Sequence, residues 1–128
     1  MGNVSITKLW EDSAEPFGEI RLLAVGNQVT VNHNFYVSDQ KLLQLSEDLT
    51  CFSKGGIPEC LWSSGQDCSI HLFHRDSAGH IRAEITICLD EEDHHFCRFY
   101  LDGLEAGPLA LFAQSLPSLA IGETVSVF

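Results

Sequence analysis

Six histidines and five cysteines are the residues of this chain best suited to bind a metal or attack a substrate. His71 and His74 stand three apart, a spacing that aligns two ligands on a helix but sends them to opposite faces of a strand. The surrounding sequence alternates as a strand, so the two diverge, and adjacent His94 and His95 diverge for the same reason. Zinc or iron needs convergent ligands held by a supporting shell. The best surviving combination sets His74 near His95 or an inward-facing cysteine. A buried or half-buried structural role is the expectation for His33, His74 and His95. Nucleophilic catalysis would need a serine or cysteine beside a base. Cys88 projects to a polar strand face with no histidine directly opposite, and Cys60 lies near an aromatic in an irregular segment. No G-x-S-x-G elbow occurs. The acidic run Asp90-Glu91-Glu92-Asp93 lacks the spaced oxygens and the glycine of a calcium loop, and reads as a solvated hairpin tip. Gly55-Gly56 follows a helix rather than opening one, unlike a phosphate loop. The expectation is therefore no catalytic residue, no metal ligand and no cofactor.

The elements that would position any site are clearest over residues 67–102. Setting Arg75 opposite His80 across Asp76-Ser77-Ala78-Gly79 places Leu72 against Ala83, Ile70 against Ile85 and Cys68 against Ile87. Across the acidic tip, with Asp90 opposite His94, Ile87 meets Cys97, Ile85 meets Phe99 and Ala83 meets Leu101. All of these fall on one side, and a slip of one residue would scramble both faces. The other side pairs His71 with Glu84, Phe73 with Arg82, Glu84 with Tyr100 and Arg82 with Asp102.

A second hairpin occupies residues 18–37. Gly26-Asn27 has the glycine-first signature of a type II′ turn, which pairs Val25 with Gln28 and Ile20 with His33. Ser38 predicts an N-cap for a helix to about Phe52, with Leu42, Leu45, Leu49 and Phe52 at helical spacing. A second helix starts at Gly107-Pro108, carries Leu109, Phe112 and Leu116, and stops at Pro117. Short edge strands are expected at Cys60-Leu61-Trp62 and at Val4–Leu9. The tail Glu123–Phe128 alternates but has no assigned place. Core roles are expected for Trp10 and Trp62. The order is that of an α+β fold, a mainly antiparallel sheet of about five to seven strands with two amphipathic helices. Each half reads as strands followed by a helix, as if two similar halves shared one core.

The 128 residues fit a single domain, 1–128, and 45% hydrophobic content excludes a wholly disordered chain. With 18 acidic against 7 basic residues, the formal charge of −11 repels nucleic acid and anionic membranes and attracts basic proteins. No secretory leader is evident and the cysteines lack paired spacing, so a reducing cytoplasm without disulfides is expected.

The runs FYVSDQKLLQLSEDLTCFSKG, SIHLFHRDSAGHIRAEITICL and HFCRFYLDGLEAGPLALFAQSL carry a resemblance that covers about residues 18–116. An aromatic strand end, an amphipathic helix, a charged strand with D-x-x-G-H and an F-Y-L strand leading into a helix together look like a group of small bacterial proteins. Some relatives in that group are classed as immunity proteins of polymorphic toxin systems, including those named after WapI. The resemblance implies a cytosolic binder that blocks a toxin domain by contact, and it carries over no catalytic residue.

The chemistry of the sheet agrees with a binder. Its outward face gathers His71, Phe73, Arg82, Glu84, Arg98 and Tyr100, and tyrosine and arginine are common interface anchors. The expected partner is a protein, such as a basic toxin domain, with no nucleic acid and no membrane. Two alternatives stay open. One is a small-ligand-binding or enzymatic domain with a pocket between sheet and helices, and the other is a homodimer that pairs edge strands or sheet faces, with the Tyr100 face as a candidate seam.

Overall fold

Alternation with period two governs both halves of the chain, and each half yields a run of antiparallel strands followed by a helix. The computed structural model describes residues 2–90, 92 and 95–127, with the backbone alone at Asp90. The first half gives β1 (Asn3–Glu11), β2 (Phe17–Val25), β3 (Thr30–Ser38) and α1 (Asp39–Ser53). The second gives β4 (Glu59–Ser63), β5 (Cys68–His74), β6 (Ile81–Asp90), β7 (His95–Leu104) and α2 (Ala106–Ser115). A 3₁₀ turn (Leu116–Ser118) and β8 (Thr124–Ser126) follow.

The strands form two four-stranded sheets, β3-β2-β1-β8 and β4-β5-β6-β7, paired antiparallel throughout. The fold is therefore α+β. The connections interlock the sheets: α1 leads from β3 of the first sheet to β4 of the second, and α2 leads from β7 back to β8 of the first. Each helix thus crosses between layers, and the first sheet cannot be completed until the chain has passed through the second.

Each sheet has one dry face, and both are covered by the helices. Leu42, Leu45, Leu49 and Phe52 of α1 and Leu109, Phe112 and Leu116 near α2 are all buried. They belong to the same cluster as Ile20 and Leu22 of the first sheet and Ile85 and Ile87 of the second. An apolar void of about 20 Å³ at the centre is lined from β1, β5, β6 and both helices. A space of that size with no polar partner stays dry. No helix among the described residues is long and apolar enough to cross a membrane.

The second sheet keeps the register that its sequence dictates. Cys68 faces Ile87, Ile70 faces Ile85, Leu72 faces Ala83, and beyond them Ile87 faces Cys97, Ile85 faces Phe99 and Ala83 faces Leu101. At the acidic tip the pairing moves: Asp90 meets His95 rather than His94, because Leu89 is an extra residue that bulges out of β6. Glu91, Asp93 and His94 lie outside the described residues. At the far end a second bulge sets Asp102 and Gly103 against Arg82, and Gly103 takes the positive φ of 84° that this geometry needs.

The first sheet departs further from expectation. Val25 pairs with Thr30 and Ile20 with Phe35, two residues beyond the tight-turn register, so the inward residues stay inward while the loop lengthens. Gly26 is not among the glycines with positive φ, which a type II′ turn would demand of it; its N–H instead donates to Val29 O at 2.7 Å. The strand at Val4–Leu9 is not an edge, since β8 pairs along its free side. Leu9 bulges out of β1 between Lys8 and Trp10. That extra residue reverses the facing of Trp10, which is 42% exposed instead of buried in the core. Gly18 permits the close approach, because a Cβ there would run into the Trp10 carbonyl.

The helix ends follow local chemistry. Ser38 Oγ accepts from Lys41 N–H at 3.1 Å, capping α1. Pro117 has no N–H to give Ala113 O, the carbonyl four residues earlier. Ser46 Oγ–H of α1 supplies a buried bond to that carbonyl at 2.6 Å, tying the two helices together. Replacing Ser46 with alanine removes it, and urea unfolding should show a loss of about 1–2 kcal/mol with an unchanged m-value.

Candidate functional site: the outer face of the second sheet

The antiparallel register of β4 to β7 brings all six expected binding residues, His71, Phe73, Arg82, Glu84, Arg98 and Tyr100, onto one outer face. His71 stands beside Glu84, Phe73 beside Arg82, and Glu84 beside Tyr100. The centre of the face is a linked set of charges. Arg82 holds Asp102 through both oxygens, Nε at 2.8 Å and Nη2 at 3.1 Å, and its guanidinium lies 5.1 Å from the centre of the Tyr100 ring. Arg75 adds a longer contact to Asp102 at 3.5 Å. Arg98 reaches Glu84 at 3.4 Å and donates to Thr86 Oγ1 at 3.2 Å. His71 Nε2 is 2.8 Å from Glu59, and its ring tilts against Phe73 with centres 5.0 Å apart.

Apolar groups border this network. Tyr100 is 53% exposed, and two residues that sequence reasoning did not select are more so: Phe96 at 60% and Leu61 at 65%. Phe96 shares a face with Arg98 and Tyr100 because it lies two residues before Arg98 on β7, and Leu61 faces His71 from β4. The signal for Phe96 was present in the alternation of β7. Leu61 needed β4 to be paired on β5, which no local pattern specifies.

Hydrogen bonds from Arg82 draw the Asp102 carboxyl below its ordinary value of 3.8, slight burial opposes them, and the charges of Arg82 and Arg75 add to the lowering. Arg82 is raised in turn, first by the same hydrogen bonds. A carboxyl with a lowered folded pKa supports the fold above its unfolded pKa, and that support fades as pH falls through the folded value.

Among the described residues the reactive types do not converge. Cys60 and Cys68 are buried, and desolvation, reinforced by Asp48 and Cys51 at Cys60 and by Asp67 at Cys68, pushes each thiol up to about 12. Neither is a thiolate at neutral pH. Cys60 lies within a regular strand, not an irregular segment. His74 pairs with Ile81 and His95 with Asp90, at opposite ends of the ten residues of β6. That separation, roughly 30 Å at strand rise, rules out the His74–His95 combination. Both are exposed rather than buried, His74 stacking on Phe52 with centres 5.0 Å apart. His33 is half-buried and stacks on Phe35, with its Nε2 buried and without a hydrogen-bond partner among the described residues. Among the described residues no group of three or more His, Cys, Asp or Glu side chains is placed to hold a metal ion.

The D-x-x-G-H motif resolves into a turn. Asp76 Oδ1 accepts from Ala78 N–H and His80 N–H, Oδ2 lies 2.7 Å from His80 Nδ1, and Gly79 takes a φ of 91°. Its residues hold the β5–β6 hairpin closed. No protein-family model, curated protein or solved structure matches this chain.

Two outcomes check this description. In a carbon-13 NMR titration the Asp102 carboxyl should titrate below the usual aspartate range, and Arg82→Gln should bring it back up. In the folded protein at pH 8, an alkylating reagent should label exposed Cys51 while Cys60 and Cys68 stay unlabelled until denaturant is added.

Proposed function

We propose that this chain is a non-enzymatic protein-binding module of the immunity-protein kind, acting in the cytosol, that blocks a basic toxin domain by direct contact through the outer face of its second sheet. The observation that carries the reading is the union, on one rigid sheet, of exposed Leu61, Phe96 and Tyr100 with an arginine network whose geometry is already set. Anchors held in place before binding lose little freedom on binding, which favours affinity.

Charge divides the labour. Arg82 and Arg75 share Asp102, Arg98 reaches Glu84 and His71 meets Glu59, so three arginines and three carboxylates lie within this face. The excess behind the formal charge of −11 lies elsewhere on the molecule. A long-range negative field would speed the approach of a basic partner, while the aromatic and aliphatic anchors would set how long it stays.

The test is capture of a partner from source-cell lysate at low salt, compared among the wild type, Tyr100→Ala and Phe96→Asp. Native mass spectrometry would supply mass and stoichiometry. A basic protein released by salt and bound at least about tenfold more weakly by either variant is the expected result. Undiminished capture by both variants would remove this face from the interface. A homodimer alone would transfer the reading to self-association, and a bound small molecule would transfer it to ligand binding.

A further inference from the structure

The opposite sheet carries a second aromatic group, exposed Trp10 and Tyr36 with half-buried Phe17, at a corner that the bulge in β1 creates. Trp10, Phe17 and Tyr36 meet edge to face, with ring centres 5.7, 6.3 and 6.3 Å apart and planes 65°, 90° and 68° from parallel. Those spacings are direct contact. No cation fits between the rings, so any ligand must lie on their outward surfaces. Tyr36 is 60% exposed, so such surface is available.

Glu19 stands in the middle of this corner. Its Cα partner on β1 is Trp10 and its Cα partner on β3 is Tyr36, so the three form one row across the sheet. Glu19 is half-buried, and its carboxylate has no hydrogen-bond or ion-pair partner among the described residues. Arg21, the next outward residue on β2, donates instead to Asn34 Oδ1 at 3.1 Å. Beside Phe17, the β1–β2 loop adds the acidic residues Asp12 and Glu15. Asp12 is spent on closing that loop, accepting from Ala14 N–H and Glu15 N–H. The corner therefore offers aromatic surface together with a carboxylate that has no partner among the described residues. This differs from the second sheet, where every arginine on the outer face already has its carboxylate.

We propose that the Trp10–Phe17–Tyr36 corner, with Glu19 between Trp10 and Tyr36, is a docking point for an arginine side chain on a basic segment of a partner protein. Arginine fits better than lysine for a physical reason. Its planar guanidinium lies flat on an aromatic ring while its edge donates two parallel hydrogen bonds to one carboxylate. An ammonium is a more strongly hydrated point charge and cannot make that forked contact. The chain's own Arg82 uses the same combination on the other sheet, over Tyr100 and against Asp102. This docking point deepens the protein-binding reading but does not depend on the second-sheet face.

The experiment titrates the full chain at low salt with a short acetylated arginine–glycine peptide, then with its lysine–glycine counterpart. Trp10 emission is the readout, since Trp62 is buried with its Nε1–H on Lys41 O. Tighter binding of the arginine peptide is expected, weakened about tenfold in Glu19→Gln and in Tyr36→Ala. Phe96→Asp serves as the control, with binding retained. Equal affinity for the two peptides would overturn the guanidinium assignment. No binding, or binding that neither Glu19→Gln nor Tyr36→Ala alters, would overturn the site. Loss in Phe96→Asp alone would place the peptide on the second sheet and overturn it as well. Both test positions are on the outer surface, and far-ultraviolet circular dichroism verifies that the variants fold.

Discussion

The pairing of β5, β6 and β7 couples the inside of this protein to its outside. Ile81, Ala83, Ile85 and Ile87 of β6 are buried, and each lies opposite an inward residue of a neighbouring strand. Strand geometry then leaves no choice for the residues between them. Once Ile85 faces Ile70 and Phe99, Glu84 must stand between His71 and Tyr100, and Thr86 between Ser69 and Arg98. A slip that exposed the isoleucines would also dismantle the surface network, because side chains repeat with period two. Burying the isoleucines stabilises the fold far more than the exposed ion pairs do, so the core sets the register and the polar face inherits it.

Bulges are the points at which this rule is suspended, and they lie where surface residues matter. Leu9 turns Trp10 from the core side to the surface, against Phe17 and Tyr36. The bulge at Asp102-Gly103 ends the regular pairing of β6 and β7 beside the carboxylate that Arg82 holds. The one at Leu89 exposes a leucine beside the acidic tip. Each costs regular pairing and re-aims a side chain that strict alternation would have sent elsewhere.

The two sheet faces use charge differently. On the second sheet arginines and carboxylates satisfy one another, so the face has little net charge and a fixed shape. On the first, Glu19 is left among aromatic rings with no hydrogen-bond or ion-pair partner among the described residues. An acidic chain that concentrates three of its seven basic residues on one sheet creates this contrast. It leaves ion-paired arginines on one sheet and, on the other, a carboxylate set among aromatic rings.

Both helices were legible in the chain, and so was the central register of β5, β6 and β7, from Cys68 opposite Ile87 to Ala83 opposite Leu101. Those features rest on short-range signals: the Ser38 cap, leucines at helical spacing, and apolar alternation on either side of turns that the chain must close. The sequence also determined that His71, Phe73, Arg82, Glu84, Arg98 and Tyr100 share a face, since that follows from the pairing. The remaining features follow from long-range packing. The place of β8 beside β1 joins residues more than a hundred positions apart, and no local pattern encodes such a partner. The longer β2–β3 loop kept the same residues inward, so alternation could not reveal a shift of two. The facing of Trp10 depended on one inserted residue, Leu9, and on the room that Gly18 makes across the strand. The exposure of Leu61 depended on which edge β4 joined. Period two reports which residues share a side, whereas partners, bulges and edges are set by how the two sheets and their helices close around one core.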